Sequence, residues 1–81
     1  MGPESWPVAS SEGVLGEHYM LLKNYVKAEQ TLLHAQDLFV RTVGATNTRT
    51  QVNTRRLVAL YTAWGKPVKA AEYAAKLPAP K

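Results

Sequence analysis

Apolar residues recur along this chain at spacings of three and four, interrupted at a few polar, glycine and proline positions, and that rhythm predicts four helices. In residues 1–10, Gly2, Pro3 and Pro7 surround Trp6; proline sets its own backbone angle and biases its predecessor away from helix, so this stretch reads as an extended arm. Ser10 or Ser11 then offers a helix cap, with Glu12 in the first turn where the helix dipole favours negative charge. A first helix over residues 12–23 carries Val14, Leu15, Tyr19 and Leu22 on its apolar side. Asn24 breaks the pattern. A second helix over 25–43 places Ala28, Leu32, Ala35 and Phe39 in one stripe, with two alanines that let a neighbouring helix come close.

Gly44 ends the second helix, and Thr48 with Gln51 has the spacing of a reciprocal capping box. A third helix over 49–64 follows, with Leu57, Leu60, Tyr61 and Trp64 on one side. Gly65 stops it, and Pro67 opens a short fourth helix at the position where a missing amide donor costs least. Ala70, Tyr73, Ala74 and Leu77 form its stripe, and Pro78 and Pro80 end regular structure. The fold class is therefore all-α. Four helices form two antiparallel hairpins joined by connections too short to separate sequential neighbours. The chain divides into an extended segment 1–10, a first hairpin 11–44, a second 45–78 and a tail 79–81.

The two hairpins repeat each other. Leu15, Tyr19 and Ala28 return as Leu57, Tyr61 and Ala70, each pair 42 residues apart. Leu15-Gly16 followed by Tyr19, Tyr25, Ala28, Leu32 and Ala35 resembles the consensus of a tetratricopeptide repeat, in which small residues stand where paired helices cross. The second unit follows the same frame at Leu57, Tyr61, Gly65, Ala70 and Tyr73. It departs from that frame at Val58, which stands for Gly16, and at Ala74 and Leu77, which stand for Leu32 and Ala35. The period of 42 is similar to the long variant of kinesin light chains and of many bacterial multi-repeat proteins, and residues 60–77 resemble the closing unit of such arrays. The resemblance implies a short right-handed alpha-alpha solenoid fragment of two stacked units.

It also implies a scaffold that binds a peptide or partner protein on a concave face lined by the first helix of each hairpin. Carried onto this chain, that face comprises Gly13, Glu17, Met20 and Leu21 from the first unit and Val52, Arg55, Arg56, Ala59 and Thr62 from the second. Val14 and Arg56 stand where kinesin-like units carry asparagines that bond a peptide backbone. Arg55 and Arg56 are instead suited to forking onto the carboxylates of an acidic segment.

Charge and composition sharpen this picture. Residues 1–40 hold two lysines against five carboxylates, a net −3, whereas residues 41–81 hold eight basic residues against Glu72, a net +7. Such polarity favours self-contact between unlike ends, or an acidic partner at the second unit. At 81 residues the domain buries only about 60% of the surface its unfolded chain exposes, and two repeat units leave apolar surface uncovered at their ends. A homodimer, or membership of a longer array, is expected.

The chain has no cysteine, which removes disulfides, thiolate metal sites and cysteine nucleophiles and is compatible with a reducing compartment. No apolar run approaches the roughly 20 residues of a membrane span, and the first residues lack a signal-peptide pattern. A cytoplasmic protein without cofactor or metal is expected. His18 and His34 lie on separate helices with no ligand spacing beside them, and Ser10 and Ser11 have no nearby base, so no enzyme is expected. The alternative is a DNA-binding helix-turn-helix using the basic stretch 41–56, with Gly44 in the turn and a reading helix rich in Thr, Arg, Gln and Asn. The length of the second helix and its agreement with the repeat frame weigh against it.

Overall fold

The computed structural model describes residues 6–77. They form four α-helices and no strand: α1 (Trp6–Leu21), α2 (Tyr25–Thr42), α3 (Thr48–Ala63) and α4 (Pro67–Ala74). Among these residues α1 packs along α2, α2 against α3, and α3 against α4; α1 also touches α3, and α4 packs on α3 and reaches α2 through Lys69, 3.9 Å from Glu29. The product is a thin slab, 38 × 32 × 16 Å, of two successive hairpins, an all-helical packing consistent with a small helical solenoid or bundle.

The first helix begins earlier than its polar start suggests. Trp6 to Ser10 are helical, not an extended arm. Pro7 sits in the first turn, where its missing N–H was unpaired anyway. Ala9 is fully buried against Ala35, Leu38 and Phe39 of α2, so tertiary packing extends α1 backward by more than a turn. Ser10 and Ser11 consequently lie inside the helix and cap nothing; the Ser11 hydroxyl donates to the Pro7 carbonyl at 3.2 Å. The rest of the arm, the Trp6 side chain, and Pro78 and Pro80 lie outside what can be described.

The expected capping box at Thr48 and Gln51 is also replaced. Asn47 caps α3, its side-chain oxygen accepting the Arg49 N–H at 2.9 Å, and Gln51 Nε2 donates to the Thr46 carbonyl at 3.1 Å. Asparagine outranks threonine as a cap, and here it stands one residue earlier. Asn24 caps α2 through the Lys27 N–H.

Helices α1 and α3 end alike. Asn24 N–H bonds the Tyr19 carbonyl and Lys23 N–H that of Met20; 42 residues on, Lys66 N–H bonds Tyr61 and Gly65 N–H bonds Thr62. Both are Schellman endings, which need a left-handed residue just past the helix. Gly65 fills that place with φ +76°, while Lys23 fills its counterpart with φ +63°.

The interior consists of two clusters. Ala28, Leu32, Leu57, Leu60, Tyr61 and Ala70 pack together where the hairpins meet, and Ala9, Ala35, Leu38 and Phe39 between α1 and α2. Ala28 and Ala70, the repeat-related alanines, both face adjoining helices. Gly16 stands so close to α2 that a Cβ there would lie 2.6 Å from Leu32 Cγ. At +42 the sizes exchange: Val58, half-buried against the core, replaces Gly16, and Ala74 replaces Leu32.

Candidate interaction surface

One side of α3 is dedicated to the interior and the other to solvent. Asn53, Leu57, Leu60 and Tyr61 are buried, whereas Val52, Arg55, Ala59 and Thr62, at spacings of three and four, form an exposed stripe. The four exposed residues are all among those that the repeat resemblance places on the concave face. From α1, Leu21 is exposed, Glu17 is half-buried, and Met20 is half-buried against the main core cluster. Helices α1 and α3 meet at Gly13, where a Cβ would come within 2.7 Å of Arg56 Nη1 and 3.0 Å of Asn53 Oδ1. Arg56 therefore lies across α1 over a glycine, with its Nε 4.0 Å from Glu17 Oε1. Arg55, one residue earlier, is exposed and has no ion-pair partner among the described residues.

Behind this face runs a polar strap that periodicity does not reveal. Asn53 Nδ2 donates to the Leu32 carbonyl (3.1 Å) and to Gln36 Oε1 (3.0 Å). Gln36 Nε2 donates to Thr54 Oγ1 (2.9 Å), whose hydroxyl donates to the Thr50 carbonyl (2.9 Å). Thr50 Oγ1 in turn donates to the Gly44 carbonyl at 2.7 Å. Thr50, Asn53 and Thr54 are all buried. These three belong to the basic stretch that suggested a reading helix; turned inward, they are unavailable to base edges, and Arg49, Val52 and Arg55 remain at the surface.

At the far end of α3 the rings of Tyr25, Trp64, Tyr61 and Tyr73 stack in sequence, with centroids 5.7, 6.4 and 5.7 Å apart. Lys66 lies over the Trp64 ring at 4.2 Å and Lys76 over Tyr73 at 4.7 Å, an arrangement favoured by the ring quadrupole. The buried Tyr61 hydroxyl donates to Glu29 Oε2 at 2.8 Å. Burial, and then this bond and the Glu29 charge, hold its proton far above the usual phenol range; burial and the charges of Glu72 and Glu29 also raise Tyr73. The ladder's ingredients were visible as aromatic residues, but its order depends on bringing the first hairpin's Tyr25 to α3.

His34 Nδ1 lies 2.7 and 2.8 Å from the two carboxylate oxygens of Glu12, tying α2 to α1, while His18 is exposed. Among the described residues no three His, Cys, Asp or Glu side chains converge as metal ligands, and no helix is long and apolar enough to cross a membrane. The chain matches no family model, no curated protein and no solved structure.

Proposed function

We propose that this chain is a tetratricopeptide-like interaction module whose α1–α3 face receives an acidic segment of a partner protein. The observation that carries the reading is the exposed stripe Val52, Arg55, Ala59 and Thr62 on a helix whose other side is buried. Such a stripe offers small and apolar contacts around a guanidinium. Among the described residues Arg56 beside it is held by a 4.0 Å contact to Glu17, a partly solvated pair of small net value, so a ligand carboxylate can compete for it and make the bidentate bonds that arginine favours. The net +7 of residues 41–81 adds long-range attraction for acidic chains.

A labelled polyglutamate peptide, with polylysine of equal length as control, tests this by fluorescence anisotropy at low salt. Arg55→Glu, and the pair Arg55→Glu with Arg56→Glu, are expected to weaken polyglutamate binding by about tenfold or more, the scale of losing one charge-assisted hydrogen bond. Binding unchanged in the double variant refutes the assignment. Retardation of random duplex DNA that the same variants abolish would favour the helix-turn-helix alternative.

A further inference from the structure

The duplication allows each position of α1 to be compared with its counterpart on α3, and the comparison is one-sided. Thr50, Asn53, Leu57 and Leu60 are 0–1% exposed, on a helix that α2 covers on one side and that also packs against α4 and α1. Their counterparts on α1 are Val8, Ser11, Leu15 and His18, and all four are exposed, Leu15 at 45% against 0% for Leu57. Among the described residues α1 touches only α2 and α3; no helix occupies the place that α2 occupies for α3. At the other end the complementary element lies open. Helix α4 is the counterpart of α2, and where α2 presents Glu29 and the buried Leu32 to α3, α4 presents Ala71 and Ala74 to solvent.

We propose that α4 of one copy packs against the outer side of α1 of the next, so that this protein stacks head to tail on a second copy of itself. The contact repeats between copies the α2-on-α3 contact within the chain. It rests on reading the chain as a duplicated hairpin, and not on the acidic-segment surface. Charge selects the occupant: residues 1–40 carry a net −3 and residues 41–81 a net +7. Although Glu12, Glu17 and Lys69 also pair within the chain with His34, Arg56 and Glu29, α1 has no lysine or arginine while α4 and its flanks carry Lys66, Lys69 and Lys76 against Glu72. Unlike ends attract, and like ends repel, so head-to-tail order is favoured over a two-fold contact between two α1 faces. An eight-residue α4 makes the area small and the association correspondingly transient.

Sedimentation of the whole chain over a wide concentration range, at low and high salt, tests the proposal. The weight-average mass is expected to rise with concentration, more steeply at low salt. Leu15→Glu and Ala71→Glu each spoil one end; both positions are exposed and belong to neither core cluster, and circular dichroism verifies folding, with Leu15→Ser and Ala71→Gln as milder replacements. Each variant alone is expected to need about tenfold higher concentration to associate. Their equimolar mixture, which retains one intact α4 end and one intact α1 end, is expected to form a two-chain species and stop there. A single-chain mass throughout, undiminished association of Ala71→Glu, or a mixture that remains single-chain overturns the proposal. Polyglutamate binding by Leu15→Glu is read in parallel, so loss of stacking and loss of the ligand face are seen separately.

Discussion

Lys23 occupies a backbone conformation that ordinarily belongs to glycine. Its repeat partner Gly65 has the same hydrogen-bonded ending without a Cβ to strain it. A left-handed non-glycine residue costs about 1–2 kcal/mol, partly offset in a Lys23→Gly variant by the freer unfolded chain. That variant is expected to be more stable by about 0.5–1 kcal/mol, raising the thermal midpoint by about 2–8 °C; a lower midpoint would show that the lysine side chain itself holds the turn. Tyr61 makes the complementary case of a side chain tuned by its surroundings. Its folded-state proton affinity is raised above the ordinary value of 10.0, so its contribution is complete below about pH 10, where the unfolded chain also keeps the proton. It is lost as pH rises beyond that, because the unfolded state then releases a proton the folded state retains. Alkaline unfolding is thus expected to steepen above about pH 10, and Tyr61→Phe, while costing about 1–2 kcal/mol through the lost Glu29 bond, should flatten that limb. Equal alkaline slopes for the two proteins, followed by circular dichroism, would be incompatible with this role.

Between α2 and α3 the packing is half apolar and half polar, and the two halves were unequally legible. The stripes Ala28–Leu32–Ala35 and Leu57–Leu60–Tyr61 announce their burial through spacing, and all are buried. Asn53 and Thr54 lie on the same side of α3 as Leu57, yet their polarity assigns them to solvent unless partners are known. Gln36 and the Leu32 carbonyl supply partners from another hairpin to Asn53 Nδ2 and Thr54 Oγ1, while Asn53 Oδ1 is buried without one among the described residues. Because a buried polar group without its partner pays its full desolvation cost, Asn53→Ala is expected to destabilise by about 2–3 kcal/mol. A double-mutant cycle with Gln36→Ala should give a coupling energy of about 1 kcal/mol; additive losses in denaturant unfolding would show that the strap does not act as a unit. Gly16 and Leu32 fit together as space and bulk, with Leu32 Cγ where a Cβ on Gly16 would clash, whereas their counterparts Val58 and Ala74 are half-buried and exposed.

As a slab 16 Å thick, the protein has no deep centre, and its two clusters stabilise adjoining helices rather than one common core. Stability in such a stack is nearly a sum of neighbour contacts, and its two open ends are the natural places to add another. Head-to-tail stacking therefore predicts a thermal midpoint that rises with protein concentration. The rise should vanish in Leu15→Glu; a midpoint independent of concentration in the parent chain would count against the stack. Binding of an acidic segment is a property of the α1–α3 face instead, and the loss expected for Arg55→Glu should leave the concentration dependence unaltered. The proposed ligand face and the proposed stacking ends thus lie on different surfaces, although one duplicated hairpin presents both.

Much that depends on neighbours along the chain could be read in advance: the four helices, the breaks at Asn24, Gly44 and Gly65, the opening at Pro67, the 42-residue duplication and the alanines at its crossings. These follow from periodicity and backbone freedom, which act over a few residues. The caps could not, for Asn47 replaces Thr48 and the serines cap nothing. The start of α1 at Trp6 required Ala9 to find Phe39, the burial of Asn53 required Gln36, and the opposite fates of Leu15 and Leu57, two leucines in matching positions, required knowing which one has a helix stacked upon it. Burial depends on what lies across space, and two copies of one local pattern differ as soon as only one of them has a neighbour.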